Sequence, residues 1–237
     1  MSDVDRSLFL LIAAALFIFL MFPLPALAQE PDQHSSAGGS VTDKNSLSVH
    51  LVGTVANGSL QGTSQDRRLF LIGAAFDRRL ARRSFAELSF TSQVIPFALL
   101  REPYLIGTNT QTQRNFPPIT ETRKNYGAGA SPAGFEVSFL PRKKVQPFLG
   151  IQGGFLYFSR VVLSPHASQF NFTVDGRAGV EFPLSFGKAV SFAYMFQHMS
   201  NANIARQNPG VDSHMLALAF RFPMRAGEKS GKTGKKR

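Results

Sequence analysis

The sequence predicts an all-β fold: an eight-stranded antiparallel transmembrane β-barrel of the outer-membrane type. Three observations lead there. The chain opens on an export signal, it continues as short segments of alternating polarity, and the connections between those segments alternate between long and short. Successive side chains of a strand point to opposite faces, so such alternation marks a sheet with two unlike surfaces.

Residues 1–28 read as a secretory signal peptide. Leu8 to Phe22 is an unbroken apolar run of 15 residues, short of the about 20 that a spanning helix needs. Pro23, Pro25 and the small-x-small pattern Ala26-Leu27-Ala28 follow it, as at a cleavage site. Arg6 is the only basic residue ahead of the run. Residues 29–45 are polar and read as a flexible lead-in. The barrel is expected over residues 46–222, with strands at 46–56, 67–78, 84–95, 127–140, 145–158, 169–182, 187–200 and 212–222. Residues 223–237 form a basic tail, with Arg225, Lys229, Lys232, Lys235, Lys236 and Arg237 against Glu228. A tail of that composition buries too little apolar surface to order itself and is read as solvated.

The alternation is clearest in 169–182. Phe170, Phe172, Val174, Ala178, Val180 and Phe182 occupy even positions, and Asn171, Thr173, Asp175, Arg177 and Glu181 odd ones. A membrane barrel turns the apolar set to lipid and the polar set to the lumen. The expected outer links, 57–66, 96–126, 159–168 and 201–211, are long. The expected periplasmic links, 79–83, 141–144 and 183–186, are short, the outer-membrane habit. Closure satisfies every backbone N–H and C=O within hydrocarbon. Eight strands enclose a space that side chains fill, so Glu87, Glu136, Asp175, Arg177 and Glu181 are expected to pair in a packed polar interior rather than line an open pore.

Composition narrows the partners. There is no cysteine, and the net charge is +11. Disulfides and thiolate metal sites are thereby excluded. An exported basic chain meets anionic lipid headgroups rather than nucleic acid. No metal-ligand spacing, phosphate loop or nucleotide fingerprint occurs, so no metal and no cofactor are expected. A homodimer is left open.

The chemistry concentrates in Tyr194 to Phe222. His198 and Ser200 stand two apart, hence on one face of a strand, and Asp212 follows on the next strand. Their even numbering puts them with Phe192, Tyr194 and Phe196, and with Leu216, Leu218 and Phe220. All three therefore project outward, at the height of the outer leaflet. A serine hydroxyl becomes a nucleophile when a neutral imidazole takes its proton and a carboxylate holds that imidazole. Donors for an oxyanion are available from Asn201, Asn203 or Asn208. His214 and Ser213 are rival members, with His214 one register deeper in the apolar band. Structural readings compete: Asp212 as the cap of a turn after Asn208-Pro209-Gly210, and His198 as a histidine wetted by headgroups.

The string His198-Met199-Ser200-Asn201-Ala202, with Asn208 and an acid at 212 before a terminal amphipathic strand, resembles the PagL family of outer-membrane lipid A 3-O-deacylases. The motif covers roughly residues 192–222. The resemblance implies an eight-stranded barrel that hydrolyses an acyl ester of lipid A in lipopolysaccharide, with Ser200 as nucleophile, His198 as base and Asn208 as oxyanion donor. The family's acid is usually glutamate; Asp212 is one methylene shorter. Arg101, Arg114, Arg123 and Arg206 are candidates to hold lipid A phosphates. Two other readings compete: a non-enzymatic barrel acting through its 96–126 link, and an acyltransferase with an interior acyl pocket, which requires His198 and Ser200 to face the lumen.

Overall fold

A computed structural model describes residues 44–107 and 119–224. The expectations for the signal peptide, most of the lead-in, Arg114 and most of the basic tail lie outside them. Strands β1 (Asn45–Gly58), β2 (Arg68–Arg82), β3 (Ala86–Gly107), β4 (Ile119–Phe139), β5 (Gln146–Phe158), β6 (Phe170–Pro183), β7 (Ala189–Ser200) and β8 (Val211–Met224) follow one another in space. Each pairs antiparallel with its neighbours, and β8 returns to β1 to close the barrel, with His50 opposite Ala219 and Leu51 opposite Leu218. No sheet edge is left open within the closed ring.

Strand parity follows the polarity pattern. In β6, Asn171, Thr173 and Asp175 are buried inward, whereas Phe172 and Val174 are exposed on the outer wall. The largest departure is the link expected at 96–126. β3 and β4 run for 22 and 21 residues, about twice the length that spans a bilayer, and pair through Leu99–Tyr126 to Gly107–Ile119. Thr, Asn and Glu positions that read as loop are carried as a hairpin above the wall. Ordering comes from Glu102, which is 2% exposed. Its carboxylate accepts from Arg123 Nη2 (2.7 Å), Asn125 Nδ2 (2.8 Å) and the Leu163 N–H (2.8 Å).

The charged side chains of the interior gather toward one end of the barrel. Toward the periplasmic end, Arg221 lies 3.1 Å from both Glu136 and Glu181, and Arg177 lies 3.3 Å from Glu136. Glu87 sits at the mouth with Arg82 at 3.4 Å. His50, read from the sequence as an unpartnered surface residue, is instead buried beside Ser48 at 2.8 Å. In the outer half Leu69, Leu71, Leu100, Leu156, Phe158, Met195, Met199 and Met215 pack together, with buried Asn171 opposite Leu156 and buried Thr173 opposite Met199 in the strand register. Val162 and Leu163, from the β5–β6 link, fold inward and join this cluster. Burying these two side chains stabilises the inward fold of the link.

Arg221 neutralises several carboxylates at once, so its loss leaves buried charge uncompensated. Arg221→Ala is expected to destabilise the barrel by about 3–5 kcal/mol. A lower denaturant midpoint for the heat-modifiable folded band on gels checks this.

Candidate active site

β7 and β8 place the candidate residues. Met195, Gln197 and Met199 point into the barrel, so His198 and Ser200 lie on the outer face with Phe192, Tyr194 and Phe196. His198 is directly opposite Asp212 in the β7–β8 register. The His198 Nδ1 to Asp212 Oδ1 distance is 2.7 Å, a short, charge-assisted geometry. With Nδ1 engaged by Asp212, Nε2 is the ring nitrogen left without a partner from the carboxylate. Among the described residues, no hydrogen bond joins Ser200 Oγ to His198; such contacts often tighten only when substrate is bound.

An ionised carboxylate on a lipid-facing wall is costly unless enclosed and hydrogen-bonded. Asp212 is 0% exposed because the β1–β2 link folds over it. Its Oδ2 accepts from the backbone N–H groups of Gln61 (2.6 Å) and Gly62 (2.8 Å). The same link is stitched to the β7–β8 link, since the Thr63 and Ser64 N–H groups both donate to the Gly210 carbonyl at 3.0 and 3.1 Å. Two glycines permit this approach. A Cβ on Gly62 would stand 2.5 Å from the Asp212 nitrogen, and one on Gly210 would stand 2.8 Å from His198 Cε1. Gln61 and Gly62 carry no signature in the sequence beyond a glycine in a loop, and sequence reasoning missed both.

The β7–β8 link begins directly after Ser200, with Ala202 and Asn203 in left-handed conformation (φ 51° and 64°), an unfavourable region for alanine that the surrounding contacts must hold. Asn208 Oδ1 accepts the Asn201 N–H at 2.9 Å, which fixes the Asn208 side chain and leaves its Nδ2 to donate elsewhere. Asn201 is 1% exposed, with both amide atoms used inside the link: Nδ2 to the Gln207 carbonyl (2.7 Å) and Oδ1 from the Asn203 N–H (3.0 Å). The Gln207 N–H donates in turn to the His166 carbonyl at 3.0 Å. The link is thus braced on the β5–β6 link, which Glu102 holds through Leu163.

The rival residues are elsewhere engaged. Ser213 is 2% exposed on the inner face. His214 Nδ1 meets the Tyr194 hydroxyl at 2.5 Å, and its ring lies edge-on to Phe196 at 5.4 Å. Arg123 is committed to Glu102, to the Val161 carbonyl at 3.0 Å and to the Tyr104 ring at 4.4 Å, whereas Arg101 and Arg206 are exposed. The outward parity of His198 and Ser200 also removes the geometric requirement of the acyltransferase reading. Among the described residues, no group of three or more His, Asp or Glu side chains is placed to hold a metal ion.

The closed barrel and the family to which the chain is matched define the class, a Gram-negative outer-membrane β-barrel that acts as an ester hydrolase. The family model described as lipid A 3-O-deacylase (PagL) matches residues 86–221, more than half of the sequence, and the chain belongs to that family. Three solved structures are similar in fold. The crystal structure of the outer membrane enzyme PagL is 18% identical, with 76% of this chain and 99% of that one covered and a TM-score of 0.49. The crystal structure of Neisserial surface protein A is 12% identical, with 76% and 96% covered and a TM-score of 0.41. The solid-state NMR structure of the outer membrane protein AlkL is 13% identical, with 85% and 100% covered and a TM-score of 0.39. No curated protein matches the chain.

Proposed function

We propose that this chain is a serine esterase that removes the 3-O-linked acyl chain from lipid A of lipopolysaccharide. The observation that carries the reading is the His198–Asp212 contact at 2.7 Å, made on the lipid-facing wall by a carboxylate that two backbone amides hold from behind. In the proposed reaction Ser200 Oγ attacks the ester carbonyl while its proton passes to His198 Nε2. Asp212 keeps the ring in the tautomer with the proton on Nδ1 and stabilises the imidazolium. Collapse of the tetrahedral intermediate expels the sugar hydroxyl, which takes the proton from His198, and leaves acyl-Ser200. Water, deprotonated by the same imidazole, then attacks the acyl carbonyl, releases a fatty acid and restores Ser200.

Asn208 Nδ2 supplies the oxyanion donor in this reading, and Asn201 contributes by building the link that aims it. Asn208→Ala is expected to lower kcat about 100-fold to 1000-fold, with a smaller change in KM, in an assay of acyl release from purified lipopolysaccharide. Leu60 and Ile204, 76% and 60% exposed on the two links that meet at the site, offer apolar surface where acyl chains lie. Arg206, exposed on the same link as Asn208, is placed to pair with a lipid A phosphate. An outward site needs no extraction of substrate from the leaflet, and the described residues of one chain supply all of the proposed groups without a second copy.

The direct test is expression in a Gram-negative host whose lipid A retains its 3-O acyl chain. Mass spectrometry is expected to show lipid A lacking one acyl group, with the ester at the 3-position hydrolysed. An unchanged acyl pattern in cells that display the folded barrel would sink the proposal, and loss of a chain from another position would overturn the regiochemistry alone.

A further inference from the structure

The end of the barrel opposite the candidate site carries a pattern that hydrolysis does not use. Three short turns close it, and each combines exposed cations with exposed apolar side chains. The β2–β3 turn carries Arg83 beside Phe85, which is 64% exposed. The β4–β5 turn carries Arg142, Lys143 and Lys144 between Leu140 and Val145, which are 46% and 45% exposed. The β6–β7 turn carries Lys188 after Leu184 and Phe186. Phe186 is 82% exposed and held with φ at 62°, an unfavourable conformation for a large L-residue in a turn where glycine would serve. None of the three turns contains an aspartate or glutamate.

A further observation sets the depth. Arg78 lies on the outer wall of β2, exposed between Phe76 and Leu80 on the same face. A guanidinium there lies among lipid-facing groups, and its long stem can carry the charge to a phosphate at the interface. Large apolar side chains at one level with cations at the next match the boundary between acyl chains and headgroups. The barrel mouth itself fits an anion poorly, because Asp77, Glu87 and Glu181 line it together with the cations.

We propose that this rim is a binding surface for the anionic glycerophospholipids of the inner leaflet. The apolar turn residues enter the acyl boundary, and Arg78, Arg83, Arg142, Lys143, Lys144 and Lys188 meet phosphodiester groups. The inference rests on the outer-membrane location and not on the catalytic reading.

The test uses the full chain in nanodiscs containing phosphatidylethanolamine and phosphatidylglycerol in equal amounts, with retained lipids counted by native mass spectrometry. Wild type is expected to retain phosphatidylglycerol preferentially. The triple variant Arg142→Gln, Lys143→Gln, Lys144→Gln is expected to lose that preference by roughly fivefold per charge removed, and salt of about 1 M is expected to weaken it in wild type. Lys124→Gln with Arg160→Gln, exposed at the opposite end, is expected to leave it intact. Heat-modifiability on gels confirms that each variant is folded. Equal retention of the two lipids by wild type overturns the proposal, as does a triple variant with undiminished preference or a loss produced by the opposite-end pair instead.

Discussion

Ser200→Ala is expected to abolish acyl release while leaving the barrel folded. Removal of the hydroxyl removes the only group proposed to form the acyl-enzyme, and losses at the nucleophile of such sites are roughly 10⁴-fold or more. What remains is binding and oxyanion stabilisation without a covalent path. The fold tolerates the change because Ser200 ends β7 beyond the last β7–β8 pair, Met199 with Val211, and its side chain makes no hydrogen bond among the described residues. The measurement is the lipid A acyl profile of a host expressing wild type or variant, with the heat-modifiable band as the folding control. Identical profiles, both lacking the acyl chain, would remove Ser200 from the mechanism and leave the family membership untouched.

The second large effect concerns the acid. Asp212→Asn is expected to lower kcat by about 10⁴-fold. The two oxygens of the carboxylate serve opposite directions: Oδ1 faces His198 Nδ1, and Oδ2 accepts the Gln61 and Gly62 amides. An amide side chain has one acceptor and one donor end. If it keeps the two backbone N–H groups satisfied, it presents its NH₂ to Nδ1 and imposes the wrong imidazole tautomer. Asp212→Glu is the more discriminating change, because it restores the residue usual in the family. The extra methylene must fit a fully buried position between His198 and the β1–β2 link, and displacement by about 1 Å costs on the order of 100-fold. A loss of that size in kcat with an unchanged KM is the expected result. Activity equal to or above wild type for Asp212→Glu would show that the backbone cradle does not set the acid's length.

Much of this fold is legible in the sequence because its information is local. Alternation in 169–182 or 187–200 needs only the two-residue period of a strand, and that period carries His198 and Ser200 to the outer wall as soon as Phe192, Tyr194 and Phe196 are assigned to lipid. The pairing of His198 with Asp212 is nearly local as well, since a single connection and the antiparallel register bring the two together. The β3–β4 hairpin was not legible. Its upper half lacks a lipid-facing apolar series, because above the membrane a strand pair is held by its ladder and by Glu102 rather than by hydrocarbon. The apolar cluster in the outer half of the interior was missed for a related reason. Leu69 and Leu71 alternate with Phe70 and Ile72, so both faces of β2 are apolar there and polarity cannot tell inside from outside.

The chain's own pattern therefore carries the class of the protein, the strand order and the side of the wall on which the candidate groups stand. Each of these depends on residues close in sequence or on the closure that hydrocarbon demands of any spanning sheet. The working environment of the acid depends on something else. Gln61 and Gly62 lie 151 and 150 residues from Asp212 in the chain, and they reach it only because β1 closes against β8. Backbone amides contribute identically whatever side chain they bear, so no residue type announces them. The enclosure of Asp212, and with it the setting in which His198 is proposed to act as a base, is a property of barrel closure.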